Sequence, residues 1–426
     1  MAMVKYFYRL SNVALRGLTL VSKFGLLLFL AKYLAPEDVG LYGLMLATIA
    51  YCTYPLGFEF YVYSTREIIK LEKNERGRAL RNQLALHARL YILAVPLFLL
   101  IFHFEFLSWQ MAPWFFVLVF LEHACQEMMR MLVALEKQLV ASIVLFIRQG
   151  LWALVLIALM SFDETYRHLS YVLIGWVTGA AVAATTSAIV LGRMLAFRKF
   201  MGEAVDWRWV KVGLKIAIPM FVGTVFLNFV TIVDKYWFES LQGREMLGGY
   251  IFFMSISAAM MSFLEAGVFS FMYPSIVAAY HNGDISRFKA CLRKLLFQTV
   301  GLSVVFIVGI VIFIDWFLEL LQREVYSSMK GVLYIFLLAM FFQALSYIPH
   351  YALYAQNKDR AIIAAHIFSV PVFALSVWLL TSWNELYAVP VGCCLAYVSM
   401  LVVKCLAHSC FDLKAKVASD NKILSL

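Results

Sequence analysis

The sequence predicts an all-α polytopic membrane protein with twelve transmembrane helices in two six-helix lobes, and three observations predict it. Of 426 residues, 63% are hydrophobic and 15% charged, against about 25% charged in a soluble domain. The apolar residues form continuous runs of about twenty, long enough for helices to cross ~30 Å of hydrocarbon; a transmembrane barrel would show alternating segments of about ten. The runs lie at approximately 11–33, 39–63, 83–106, 112–134, 139–161, 168–192, 212–238, 247–275, 295–320, 331–355, 360–382 and 386–408. Finally, positive charge alternates between connections. The termini and the even-numbered connections hold 26 Lys and Arg, among them Lys5, Arg9, Arg81, Arg130, Arg198 and Lys404, whereas the odd connections hold 5. By the positive-inside rule both termini are then cytoplasmic, which requires an even number of spans.

The first run carries a polar stripe. Asn12, Arg16, Thr19 and Lys23 recur at helical spacing and share one face. A Lys or Arg at a helix centre costs roughly 2.5 to 3.5 kcal/mol on insertion, while each Leu or Phe returns about 0.3 to 0.6, so the stripe is expected to face a bundle interior or a wet cavity. Arg16 lies near enough to the cytoplasmic end to stretch back to the headgroups; Lys23 lies about 18 Å deep, too far for that. Arg148, in the fifth run, is equally hard to explain without a cavity. Arg89, in the third, is nearer the end.

The chain divides into an N-terminal lobe at 1–192, a cytoplasmic interfacial linker at 193–211 containing Trp207 and Trp209 among basic residues, and a C-terminal lobe with a tail at 212–426. A repeat supports the division. The second run begins Glu37-Asp38-Val39-Gly40-Leu41-Tyr42 and the eighth Glu245-Met246-Leu247-Gly248-Gly249-Tyr250, each E-x-x-G-x-Y. Upstream, Lys32-Tyr33 matches Lys235-Tyr236. The lobes therefore read as parallel repeats, a plan that places substrate between the halves.

In the seventh run Asn228, Thr231 and Lys235 form a second polar face, with Asp234 beside Lys235. These last two also suit a bland role, satisfying one another near the outer end. The intramembrane acids Glu59, Glu122, Glu127, Asp234 and Glu265 are candidates for ion coupling, since a buried carboxylate must pair or hold a proton. Glu59 and Glu265 occupy corresponding inner ends of the second and eighth runs and are expected to share a structural role. His123 and Glu127 make an i, i+4 pair resembling half a metal site, but no second His stands at ligand spacing, so no metal or other cofactor is expected.

The basic residues are dealt out between spans rather than gathered on one surface, which argues against a nucleic-acid partner. The seven cysteines, Cys52, Cys125, Cys291, Cys393, Cys394, Cys405 and Cys410, show no CxxC pair and read as buried, reduced thiols. No cleavable signal peptide is expected, because the first run is too long and lacks a small-residue site. No enzyme signature occurs: there is no HExxH, P-loop or strand-linked GxGxxG. The surplus of intramembrane cations over unpaired acids favours an anionic cargo recognised by charge-assisted hydrogen bonds.

The YLAPEDVGLYG stretch after the first run, Pro55-Leu56-Gly57, the KIAIP and VDKY ends of the seventh run and the EMLGGY start of the eighth resemble the polysaccharide repeat-unit (O-antigen type) flippases of the multidrug/oligosaccharidyl-lipid/polysaccharide exporter superfamily. The resemblance implies a V-shaped exporter fold in a bacterial cytoplasmic membrane that moves an undecaprenyl-pyrophosphate-linked oligosaccharide by alternating access. It also implies surrounding membrane lipids, a polysaccharide polymerase and a chain-length regulator as partners. Arg16, Lys23, Arg89 and Arg148, with Asn228 and Lys235, then become the candidate pyrophosphate and sugar contacts. The alternatives are a drug/cation antiporter of the same superfamily, which calls for acids rather than cations facing the cavity; a peptidoglycan-precursor flippase, which often carries two further spans; and a membrane-embedded polysaccharide polymerase or ligase, which calls for a long outer loop.

Overall fold

The computed structural model describes residues 2–195 and 197–423, with side chains described for 11–195, 197, 199–226 and 228–409. The side chains of Lys5, Arg9, Arg198 and Cys410 lie outside this set. The described chain is helical, with no strand among its residues. It forms two compact units, Met1–Val225 and Phe226–Leu426.

In the first unit, α1 (Ala2–Tyr33) is followed by α2 (Pro36–Gly57), which starts with Pro36 in its first turn, where no donor is lost. Next come α3 (Tyr61–Lys70), α4 (Arg76–His103), α5 (Ala112–Ala134), and a fifth span built from α6 (Gln138–Phe146), a π-helical turn (Ile147–Leu151) and α7 (Trp152–Phe162). The α8 helix (Leu169–Met194) ends the first six spans. In the turn after α7, Asp163 accepts the Thr165 backbone N–H at 2.9 Å, which holds its carboxyl below the usual range.

The α9 helix (Trp207–Leu264) runs across the division at Val225 and breaks at Gly243, whose φ of 79° and ψ of 175° a side chain would resist. A second π turn (Glu265–Phe269) leads to α10 (Ser270–His281), α11 (Ile285–Leu321), the short α12 (Glu324–Ser328), α13 (Lys330–Ala355), α14 (Asp359–Thr381) and α15 (Glu385–Ile423). Within the second unit α15 packs along both α13 and α14.

Ten described helices or helix pairs are long and apolar enough to cross a membrane. One of them, Trp207–His281, holds 75 residues and is divided by Gly243 into two passes. The 23-residue α5, which carries Glu122, Glu127 and Arg130, is also long enough to cross. Division and addition give the twelve spans expected. The polarity pattern is inverted relative to a soluble protein: Leu97, Phe297, Val305 and Trp378 are each more than 60% exposed while Arg148, Asp234 and Lys235 are buried, as hydrocarbon on the outside requires.

Several expectations change. Trp207 and Trp209 belong to the first turn of α9, continuous with the seventh span, and not to a separate interfacial helix. Trp209 packs its ring 5.5 Å from Phe60 and 5.0 Å from Tyr63, which ties it to the first unit. Arg81 is a buried residue that donates to the Phe200 and Ala204 carbonyls and to Asn82, so it is not a loop charge. Cys405 faces outward, Cys291 is half-buried, and the other four described cysteines are buried free thiols.

The E-x-x-G-x-Y motif occupies equivalent local settings. Each copy opens a helix just after a break, one residue into α2 and two residues past Gly243. The motif glycines Gly40 and Gly248 are both buried, and beside the second a side chain at Gly249 would press within 2.5 Å of the Met329 sulfur.

Helix ends are closed by the 6→1 bond of the Schellman motif. Lys137 N–H reaches the Leu132 carbonyl at 2.8 Å, and Lys358 N–H reaches Leu353 at 2.9 Å. The residue before each donor is left-handed, Glu136 at φ 60° and Asn357 at φ 55°. At Glu136 this conformation strains a residue with a Cβ by about 1 kcal/mol or more. Replacing the exposed Glu136 with Gly is expected to stabilise the protein by about 1 kcal/mol, read as a raised unfolding midpoint in detergent.

Candidate functional site

Several of the charges inside the spans are neutralised within their own unit. The fifth span shows how. Its π turn leaves the regular hydrogen-bond ladder and carries Arg148. The side chain is buried, and its Nε donates to Oε2 of Glu122 on α5 at 2.7 Å, with Nη2 on the same oxygen. The other Glu122 oxygen accepts the Trp176 indole N–H of α8 at 2.7 Å. Trp152, one turn beyond Arg148, donates its own indole N–H to the Arg148 carbonyl at 2.8 Å. Gly175 and Gly179 of α8 leave the groove for that indole: a Cβ at either position would press into the Trp152 ring.

The α1 stripe does not act as a unit. Arg16 donates to the Ser142 hydroxyl at 3.2 Å, and Ser142 in turn donates to Asn12. Thr19 is buried and returns its hydroxyl to the Leu15 carbonyl at 2.8 Å. Lys23 is exposed, and among the described residues it has neither hydrogen bond nor ion pair. It lies within electrostatic range of Arg148 and Glu122, close to a pair that is already neutral. Arg89 is exposed near the end of its span, its guanidinium stacked 3.8 Å from the Trp207 ring centre.

A second buried polar cluster joins α4, α5 and the start of α3. Glu127 accepts Gln83 Nε2 at 2.7 Å and Arg130 Nη1 at 2.6 Å, and Arg130 lies 3.7 Å from the Tyr61 ring centre. The His123 ring meets the Tyr91 hydroxyl at 2.7 Å through Nδ1 and the His87 ring edge-on at 4.9 Å. Its Nε2 is buried without a partner and 4.0 Å from the Glu127 carboxylate. Glu59, buried and left-handed at φ 54°, receives the Tyr61 and Thr224 hydroxyls. Sequence reasoning passed over His87, Gln83 and Tyr91, although Gln83, His87 and Tyr91 recur every fourth residue and so share one face of α4. Arg130, counted as a loop charge, belongs to this cluster.

In the second unit Lys235 donates to Asp234 at 3.1 Å and to the Thr231 carbonyl at 2.5 Å, and the Tyr250 hydroxyl donates to Asp234 at 2.8 Å. Both charged groups are buried. Tyr250 is the last residue of the repeated motif, so the motif supplies the hydroxyl that completes this pair. Asn228 receives the Thr231 hydroxyl on its carbonyl at 2.8 Å. Glu265 sits in the π turn before α10 and is exposed. Its helical setting differs from that of the buried, left-handed Glu59, so the two acids do not share a local structure.

Removing one partner of a buried pair strands the other, at a cost of about 3–5 kcal/mol, whereas an apolar pair of similar volume is close to neutral. Arg148→Met or Glu122→Leu alone is therefore expected to lower the unfolding midpoint sharply, and the double variant to restore most of the loss. If the double variant is no more stable than the singles, the pair is not the anchor that the geometry describes.

The MatE family model matches residues 219–379. No curated protein matches by sequence. Among solved structures, an inward-facing multidrug-resistance MATE transporter of the MOP superfamily superposes with a TM-score of 0.71 at 14% identity, covering 98% of this chain and 99% of that one. A point mutant of a MATE protein gives 0.58 at 12%, covering 97% and 96%. A MOP superfamily transporter from Pyrococcus furiosus, described by the reverse polarity of its binding pocket, gives 0.54 at 12%, covering 94% and 93%. Along nearly its whole length, this chain has the fold of the MATE transporters.

Proposed function

We propose that the chain is a multi-pass membrane transporter working by alternating access, and that it exchanges an organic substrate for a cation. The MATE fold supports transport. The multidrug description of the similar structure supports the antiport reading over the lipid-linked oligosaccharide reading. The chemical observation that carries it is the state of the acids. Glu127 and Asp234 are buried, one in each unit, and each is held by donors at 2.6–3.1 Å. A carboxylate held by exchangeable donors is suited to trade them for a proton or a sodium ion as its surroundings rearrange. Neutralisation of Arg148 and Lys235 also removes two of the cations that had favoured an anionic cargo.

One observation favours the second reading, translocation of a lipid-linked anionic oligosaccharide. Lys23 is an exposed cation without a partner among the described residues, with Arg16 two turns away. The reversed pocket polarity described for the Pyrococcus furiosus transporter is a precedent for such variation within this fold.

The readings separate in proteoliposomes under imposed proton, sodium and electrical gradients. Antiport predicts gradient-driven movement of a cationic dye that falls at least about tenfold in Glu127→Gln or Asp234→Asn and persists in Lys23→Gln. Flipping of a pyrophosphate-linked oligosaccharide that is lost in Lys23→Gln, with the dye unmoved, would replace the first reading by the second. Movement of neither cargo would overturn both.

A further inference from the structure

Lys404 is an intramembrane cation whose surroundings neither transport reading uses. The sequence counts it with the cytoplasmic charges of the C-terminus, where a lysine holds its ammonium in water or the headgroup region. It does the opposite: Lys404 is 2% exposed. Among the described residues it makes no ion pair or hydrogen bond. An ammonium buried without a counter-charge is strongly unfavourable.

Its neighbours deepen the imbalance. His350 of α13 and His366 of α14 both lie within electrostatic range of Lys404, and His366 of His350, so the three helices that pack together in this unit each contribute one basic group. The His366 Nδ1 atom is buried and has no partner. Tyr347 and Tyr351 flank His350 at ring distances of 5.5 and 5.6 Å. Glu265 bears on those two tyrosines, and neither it nor Asp359 at the start of α14 forms an ion pair with Lys404.

Depth adds a further constraint. The apolar stretch of α15 ends at Ser409, five residues beyond Lys404, or about 7 Å along a helix. His350 lies five residues before the end of α13 at Ala355, and His366 seven residues into α14, which starts at Asp359. All three lie about one to two turns inside the same end of the unit, within reach of the headgroup layer.

We propose that Lys404, His350 and His366 form an anion site in the second unit that takes a phosphate group. A lysine ammonium offers three donors and each imidazole one or two, which matches a phosphate's several acceptor oxygens better than a halide. The phosphate belongs either to an anionic phospholipid headgroup or to a soluble phosphate or pyrophosphate. This site does not depend on which transport reading holds.

The test uses the purified full chain in neutral detergent at constant ionic strength, with thermal unfolding as the readout. One arm adds phosphatidylglycerol, with phosphatidylcholine as control; the other adds inorganic pyrophosphate, with sulfate-free chloride as control. The wild-type midpoint is expected to rise by about 3 °C or more in at least one arm. A rise with lipid alone assigns the site to a headgroup, and a rise with pyrophosphate assigns it to a soluble group. Lys404→Met removes the buried charge, so its midpoint without anion is expected to match or exceed wild type while the anion-dependent rise disappears. His366→Asn, a milder change, is expected to reduce that rise. No rise in either arm for wild type, or an undiminished rise in both variants, would overturn the proposal.

Discussion

An unpaired charge in hydrocarbon is costly, and the buried ion pairs of each unit are arranged around that constraint. Arg148 and Glu122 show it most directly, because their pairing explains features that are otherwise separate. The π turn re-aims Arg148 toward α5, the indole of Trp176 satisfies the remaining carboxylate oxygen, and Trp152 covers the carbonyl at the turn. Gly175 and Gly179 of α8 leave the groove that the Trp152 indole occupies. Three spans are thus held by one neutral cluster. In the second unit Asp234, Lys235 and Tyr250 perform the same neutralisation across the break at Gly243.

Such clusters hold their side chains in fixed geometry. A buried pair is a weak source of net stability, since desolvation offsets much of its attraction. Its retention is better explained by the specific arrangement it imposes. Glu127 illustrates the point: it accepts from an amide and a guanidinium, while the orphaned Nε2 of His123 stands 4.0 Å away. The cluster is satisfied on one side and open on the other.

The fold was legible because hydrocarbon imposes long apolar runs and the positive-inside rule fixes their alternation. Even the span that the apolar criterion alone misses, α5, was legible by its length between charged boundaries. The charged residues were less legible because sequence gives depth and helical face but not the facing partner. Arg148 read as a cation in need of a cavity until Glu122 of α5 was seen to neutralise it, whereas the pairing of Lys235 with the adjacent Asp234 was already open in the sequence. Arg81, Arg130 and Lys404 read as loop charges because they sit near span ends, where the same sequence pattern describes a snorkelling side chain and one turned inward. The Gln83, His87 and Tyr91 stripe was present in the sequence at helical spacing, but only the approach of His123 gives it meaning.

Composition and periodicity by themselves determined that the chain is a twelve-span helical membrane protein with a repeated motif at equivalent helix starts, because those properties follow from what a bilayer tolerates along one helix at a time. Tertiary structure decided which charges are spent on one another and which are left over. The pairing of Arg148 with Glu122, the open position of Lys23 and the inward turn of Lys404 are relations between helices. Such relations depend on which faces meet, and no single helix encodes that.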